Sequence, residues 1–258
     1  AKGTGGNGGN GADAIDASTY ETININTAAA TADLTITAGA GGSGVAGKAA
    51  TGTDGAAGNG LSVGANATLT LSGAGDMTLG TINTLATTSD DITIDASGMT
   101  GVLSVTTEAG NDVITGGAGG DTIGGSTGSN TITVGAGQDT VVFADGDSTT
   151  TAMTTITDFT AGENADFIKL NGASAVTYEA ISAANATLIA ADTTIAAATT
   201  QALGQLAVDE VTAFTFGGNT YVAYNSTGAA GAYVAAQDVI INLGADTAVA
   251  DLVQANFI

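Results

Sequence analysis

The chain has 258 residues and a net charge of −22 at pH 7, from 25 acidic side chains and three lysines, with 40 glycines and no Cys, His, Pro or Trp. The missing residue types exclude structural zinc, haem and iron–sulfur sites, a Cys nucleophile and a Ser–His–Asp triad. Three positive charges cannot build a nucleic-acid or anionic-lipid surface, so an oxygen-bound hard cation is the site chemistry that this composition favours.

Residues 1–148 carry short β-prone segments separated by Gly, Asn, Asp and Ser. Each segment alternates apolar and polar residues, which is the period of a strand with one buried face. The segments are Thr22–Asn26, Asp33–Thr37, Thr68–Leu71, Asp91–Asp95 and Leu103–Thr106. Their spacing of about 8–12 residues is too short for helical crossovers, so two architectures fit: an antiparallel sandwich and a parallel β-solenoid. Residues 39–60 are low in complexity and are predicted to form an irregular loop.

A nine-residue repeat covers residues 107–147. Its acidic or amide positions are Asp112, Asp121, Asn130 and Asp139. A Gly lies two residues before each of them, and a β-branched aliphatic residue lies two residues after each. The clearest copy, Gly116–Gly124, fits G-G-x-G-x-D-x-U-x, where U is a large aliphatic residue, and an isolated upstream copy lies at Gly8–Asp16.

The repeat has a simple physical interpretation. Gly allows the positive φ angles that tight turns need, and x-U-x forms a short strand with U pointing inward. Two nonamers then complete one coil, so that residues 107–112 stack on 125–130 and residues 116–121 stack on 134–139. Backbone carbonyls and Asp carboxylates would converge between the stacked turns, which favours Ca²⁺ over the more demanding Mg²⁺.

The predicted calcium ligands follow from this stacking. Within the repeat they are Gly110, Asp112, Gly117, Gly119, Asp121, Gly128, Asn130, Gly137 and Asp139. Continuing the ladder puts residues 143–148 over 125–130, which adds Asp145 and Asp147, and the upstream copy adds Gly9, Gly11 and Asp13. Because Asn130 stands where the repeat has an acid, we expect its edge to bind an ion more weakly. Five scattered acids are predicted to be solvated surface residues: Asp54, Asp76, Asp90, Asp91 and Asp95.

These residues resemble the repeats-in-toxin, or haemolysin-type, calcium-binding nonapeptide. The resemblance covers residues 107–147 most specifically. It implies a mainly β fold, a right-handed parallel β-solenoid or β-roll with calcium in its turns, over residues 1–148.

Residues 149–258 are predicted to form a smaller α+β domain that caps the solenoid. Tyr178–Val211 has helix-like stretches, Val211–Ala223 fits a hairpin, and Gln237–Leu243 fits one further strand. Ile156–Leu170 is similar to the segment that commonly follows such repeats. Together with the final residues, this region is similar to the C-terminal domains of proteins exported by type I secretion, which implies an uncleaved export signal.

The leading function is a non-enzymatic, calcium-dependent surface or matrix protein, similar to S-layer proteins, that is secreted and assembles with itself as a lattice or filament. Its expected partners are calcium, further copies and the type I secretion machinery, with cell-surface polysaccharide as a further candidate; neither nucleic acid nor membrane insertion is expected. The first alternative is an adhesin or ice-binding solenoid that uses Thr122, Thr131 and Thr140. The second is a polysaccharide-cleaving β-helix enzyme with a carboxylate pair, either Asp91 with Asp95 or Asp145 with Asp147.

Overall fold

A computed structural model of the chain describes residues 61–84, 90–163, 165–170, 176–226 and 233–258. Before residue 61 it describes three short strands, Ile15–Ala17 (β1), Thr22–Thr27 (β2) and Leu34–Thr35 (β3). The fold is mainly β, and most of its strands are parallel within two sheets. The predicted loop at 39–60 and the turn residues Gly9, Gly11 and Asp13 lie outside the described residues.

Between residues 61 and 170, consecutive strands alternate between the two sheets. The first sheet contains β1, β3 and six further strands, of which β6 is the longest. These six are Leu61–Val63 (β4), Met77–Thr84 (β6), Leu103–Thr107 (β8), Thr122–Gly124 (β10), Thr140–Phe143 (β12) and Phe167–Leu170 (β14). The second contains β2 and Thr68–Gly73 (β5), Thr93–Met99 (β7), Val113–Thr115 (β9), Thr131–Thr133 (β11) and Thr154–Ile156 (β13). All pairings among these strands are parallel, so the antiparallel alternative is wrong for this part of the chain.

The core lies between the two sheets. Each three-residue strand of the repeat contributes one inward residue, and the predicted inward residues Ile114, Ile123, Ile132 and Val141 are all fully buried. Their β-branched side chains suit a narrow, pleated interior. The five β-prone segments predicted from the sequence all contain strands. Buried residues alternate along the predicted segments of β5, β7 and β8, which confirms the period-two interpretation for these three.

Both sheets continue past residue 148. β13 pairs in parallel with Val239–Asn242 (β18), which forms an antiparallel run with Asn219–Asn225 (β17) and Glu210–Phe216 (β16). Thr177–Tyr178 (β15) ends the sheet and pairs in parallel with β16. The predicted hairpin is confirmed, and its turn uses Gly217 and Gly218 at φ +57° and +89°. Such angles favour Gly and match the twist of the two strands.

Two short helices cover one side of this hairpin. Ala183–Ala191 (α1) begins at the cap Ser182, and Ile195–Leu203 (α2) begins at the cap Thr194. Each cap oxygen accepts a hydrogen bond from a backbone N–H of the first turn, which satisfies an otherwise unpaired donor. Ile189, Leu203 and Phe214 lie in the small apolar cluster beneath the helices. Among the described residues, the helices are too short to cross a bilayer.

Candidate metal centre

Alternate nonamers stack on one another, as the spacing predicts. The Gly110 N–H donates to the Thr127 carbonyl at 3.0 Å, which joins residues 107–112 to 125–130. The Ala136 N–H donates to the Gly117 carbonyl at 3.0 Å, which joins residues 116–121 to 134–139. The turns therefore form two rows, one along each edge of the paired sheets.

Glycine is required where the stacked turns meet. At Gly128, with φ +142°, a Cβ would lie 1.7 Å from the Gly110 carbonyl oxygen, and at Gly137, with φ +139°, it would lie 2.3 Å from the Gly119 carbonyl oxygen. Neither position admits a side chain, because both the backbone conformation and the approaching carbonyl exclude one. The same packing points backbone carbonyl oxygens of one turn at the next.

The side chains at the sixth repeat position form two ladders, all but fully buried. In the first, the Oδ1 atoms of Asp121, Asp139 and Asp166 accept hydrogen bonds from the backbone N–H groups of Leu103, Asp121 and Asp139 at 2.8, 2.6 and 3.0 Å. In the second, Asp112 Oδ1 accepts from Ile92 and Asn130 Oδ1 accepts from Asp112, both at 2.9 Å. Each ladder residue is at most 1% exposed.

Asn130 reveals what surrounds the second side-chain oxygen of an aspartate at this position. Its amide nitrogen donates to the Gly125 carbonyl at 2.8 Å and to the Ser126 carbonyl at 3.0 Å. At the equivalent place in the other row, Asp121 Oδ2 accepts from the Gly117 N–H at 2.7 Å. An aspartate oxygen that meets only backbone carbonyls there has no proton to donate. That arrangement is unfavourable unless a cation lies between the oxygens.

Two ladder aspartates show this deficit directly. Among the residues that the structure describes, Asp112 Oδ2 and Asp139 Oδ2 are buried and accept no hydrogen bond, although the Thr107 hydroxyl acts to lower the pKa of Asp112. Burial raises the pKa of Asp139 to about 6, with the carboxylates of Asp166, Asp121 and Asp158 acting in the same direction and the Asp121 N–H acting against them. Burial also raises the pKa values of Asp112, Asp121 and Asp166.

The residues present fit an oxygen-bound cation. Lys169 is the one lysine or arginine in the described part of the chain, so protein cations there cannot neutralise the ladders. In that same part, no three acidic side chains form a group that could hold a metal ion by themselves. An ion would therefore combine one or two carboxylates with backbone carbonyls, a donor set that Ca²⁺ accepts readily.

Asp145 and Asp147 do not continue the repeat ladder. Thr154 and Thr155 occupy the position above Asn130: the Asn130 amide donates to Thr154 Oγ1 at 3.3 Å, and the Thr155 N–H donates to the Asn130 carbonyl at 2.8 Å. The placement of residues 143–148 over 125–130 is therefore wrong. Asp147 Oδ2 instead accepts from the Ala144 N–H at 2.7 Å, and Gly146 pairs with Gln237 of the C-terminal part. The reason is an excursion after β12 that turns towards β18 before β13 resumes the stack.

Asp158 and Asp166 also belong to the site, although neither was among the predicted ligands. Asp166 follows Asp139 in the first ladder at a separation of 27 residues, three nonamer lengths instead of two. The Asp158 carboxylate accepts from the N–H groups of Val134 and Gly135 at 2.7 and 2.9 Å. Both acids belong to Ile156–Leu170. The 27-residue spacing of Asp166 from Asp139 was a signal available in the sequence, whereas Asp158 is out of phase with the repeat.

The scattered acids mostly lie where they were predicted. Asp76, Asp91 and Asp95 are exposed, Asp90 is half-buried, and Asp54 lies outside the described residues. Hydrogen bonds from the Ser97 side chain and backbone lower the pKa of Asp95. Asp91 Oδ1 accepts from the Asn111 N–H at 2.7 Å.

The chain matches no protein-family profile and no curated protein.

Without calcium, we expect the chain to become more stable as the pH falls from 7 to 5. Asp139 has a pKa of about 6 when folded and about 3.8 when unfolded, so between these values the folded state binds more protons. The buried, charged Asp139 carboxylate destabilises the folded state fully at a pH well above 6, and protonation relieves this as the pH falls through that value. Thermal unfolding in a chelator should give a Tm several degrees higher at pH 5 than at pH 7. A Tm that falls between pH 7 and pH 5 would show that burial does not disfavour the charged form of the ladder carboxylates.

Proposed function

We propose that this chain is a calcium-stabilised structural protein in which cations bind between the stacked turns of a right-handed parallel β-solenoid. The observation that carries the proposal is the two buried side-chain ladders, in which Asp112 Oδ2 and Asp139 Oδ2 accept no hydrogen bond from the described residues. Bound calcium would neutralise these carboxylates and join successive turns, so that binding energy adds to folding energy. The ligands would come from Asp112, Asn130, Asp121 and Asp139 with the neighbouring carbonyls, and from Asp158 and Asp166 at the end of the first row.

The same proposal includes self-assembly outside the cell. The ladder acids lie at turns, whereas the outer faces of the sheets carry mostly small uncharged side chains. Neutral faces on a chain with a net charge of −22 are where copies can meet with the least repulsion. Low calcium inside a cell and high calcium outside would make folding follow export through type I machinery, which gives a secreted cell-surface or matrix protein.

The experiment is a calcium titration followed by circular dichroism and negative-stain electron microscopy, with magnesium as the matched control ion. We expect strand content to rise and ordered sheets or filaments to form with millimolar calcium but not with magnesium or a chelator. Equal strand content and equal melting temperature in calcium and in chelator would exclude the calcium role. Calcium-dependent folding without any assembly would restrict the proposal to the metal site.

An adhesin or ice-binding function is the second candidate, because of a threonine array on the outer face of the second sheet. Thr122 and Thr140 are adjacent on the first sheet, but the regular array lies on the other sheet with Thr131. Ten outward positions on and beside five paired strands are eight threonines, one valine and one aspartate: Thr68, Thr70, Thr93, Asp95, Val113, Thr115, Thr131, Thr133, Thr155 and Thr157. Neighbouring strands are about 4.8 Å apart and the two rows are about 6.6 Å apart, which makes a flat lattice of hydroxyl and methyl groups.

Thermal hysteresis tests this candidate. An ice-binding face predicts measurable hysteresis in the calcium-loaded protein that is lost in Thr115→Glu, on the middle strand of the array. Thr122→Glu on the other sheet serves as the matched control. No hysteresis in the folded wild-type protein would exclude ice binding and leave the assembly proposal unaffected. A polysaccharide-cleaving activity of a carboxylate pair, either Asp91 with Asp95 or Asp145 with Asp147, is the third proposal. It requires cleavage that substitution of the pair abolishes.

A further inference from the structure

The last strand of the first sheet is covered by the final residues of the sequence. The Ile258 N–H donates to the Ile168 carbonyl at 3.1 Å, and the Leu170 N–H donates to the Ile258 carbonyl at 3.0 Å. Phe257 forms a parallel bridge with Ile168. These residues occupy the backbone donors and acceptors with which β14 would bind a further parallel strand.

The same segment covers the end of the second sheet. The Gln254 side chain lies beside β15, where its Oε1 accepts from the Tyr178 N–H at 2.7 Å and its Nε2 donates to the Val176 carbonyl at 2.9 Å. One side-chain amide thus substitutes for the peptide group of a neighbouring strand. We call residues 252–258 the edge-capping segment.

Asn256 fixes the edge-capping segment to the end of the stack. This fully buried residue donates to the carbonyls of Gly162 and Asp166 at 3.1 and 2.9 Å and accepts from the Gly162 N–H at 3.1 Å. The Phe257 ring stacks on Tyr178 with 5.2 Å between centroids. In contrast, only the backbone of Ile258 pairs with β14, and its side chain is 51% exposed.

The opposite end of the first sheet is complementary to β14. Among the described strands, β1 is the terminal member of that sheet and pairs only with β4, in parallel. Its sequence is Ile15–Asp16–Ala17, and β14 contains Ile168–Lys169–Leu170. Both are apolar–charged–apolar, and the charges are opposite. Lys169 is exposed and forms no ion pair within the described part of the chain.

We propose that the β14 edge is a docking site for β1 of a second copy and that Ile258 is its internal competitor. In the parallel register that the sheet already uses, Asp16 of the added strand lies opposite Lys169, and such cross-strand pairs of opposite charge are favourable. The contact joins unlike ends, so it repeats head to tail and gives a filament. It rests on the self-assembly proposed above, for which it specifies the contact and its regulation.

The competition is tested with a released variant, Gln254→Ala/Ile258→Pro, which removes the Gln254 side-chain contacts and the Ile258 N–H donor. Ile258→Ala is the matched control, because it keeps both backbone hydrogen bonds. Sedimentation velocity in calcium should show the released variant assembling at a protein concentration about tenfold lower than the wild type or the control. A released variant with wild-type circular dichroism but no shift in assembly overturns the competition.

Charge reversal tests the register. Lys169→Asp should raise the concentration needed for assembly about tenfold, and Asp16→Lys/Lys169→Asp should restore it. These two charge changes also cover the case in which the released variant does not fold. Failure of the double reversal to restore assembly overturns the β1–β14 contact. If the wild type shows no calcium-dependent assembly, the result counts against the proposed function. The β1–β14 contact is then still tested separately by whether the released variant assembles.

Discussion

Replacing Asp139 with Asn is expected to stabilise the metal-free chain and to weaken its response to calcium. Asn130 shows that an amide at this repeat position can donate to two carbonyls of its own turn, whereas Asp139 Oδ2 is buried without a partner. The substitution removes one charge from a row that also contains Asp121 and Asp166. We expect the metal-free free energy of unfolding to rise by about 1–3 kcal/mol, since each pKa unit corresponds to about 1.4 kcal/mol.

The calcium response should change in the opposite direction. Asp139→Asn removes an anionic oxygen, so the calcium concentration at the folding midpoint should rise at least about tenfold. The reciprocal variant Asn130→Asp provides the matched test: it should destabilise the metal-free chain and lower the calcium midpoint. Circular dichroism during calcium titration measures both effects. If a variant that is more stable without metal also needed less calcium to fold, or one that is less stable needed more, the result would contradict a cation between the turns.

Substitution of Gly128 by Ala is expected to disrupt the stack whatever the metal content. The added Cβ would meet the Gly110 carbonyl at 1.7 Å, and φ +142° is unfavourable for any L-residue. Gly162→Ala is a suitable control, because Gly162 also has a positive φ, +114°, but has open space around it. We expect a loss of more than about 3 kcal/mol for Gly128→Ala and about 1–2 kcal/mol for Gly162→Ala.

Urea unfolding at one fixed calcium concentration measures the difference between these glycine variants. A similar loss for both would mean that backbone strain alone matters and that the turns are not in close contact. Retention of the wild-type unfolding midpoint by Gly128→Ala would contradict the stacking of residues 107–112 on 125–130.

The sequence predicted the repeat region in detail because its signals are local and periodic. The nine-residue spacing of Asp112, Asp121, Asn130 and Asp139 was enough to predict which turns stack, and the alternating segments predicted the strands. The hairpin at 211–223 was also predictable, since Gly217 and Gly218 interrupt two alternating runs. In each case the residue pattern reflects contacts made within one or two rungs.

The prediction was wrong where the period changes. After β12 the chain leaves the stack for about ten residues, because Gly146 and Ser148 pair with Gln237 and Ile240 far along the sequence. A strict continuation of the ladder therefore placed Asp145 and Asp147 in a row that Thr154 continues, and it overlooked Asp158 and Asp166. Long-range contacts of this kind leave no periodic signal, although the 27-residue separation of Asp139 and Asp166 preserves the phase.

The most direct test of bound calcium is an anomalous-difference X-ray map from crystals grown with calcium, collected at a wavelength where calcium scatters anomalously. We predict peaks between stacked turns, beside the carboxylates of Asp121 and Asp139 and beside Asp112, at oxygen distances of about 2.3–2.6 Å. Intact turns with no peak beside any of these carboxylates would contradict this prediction.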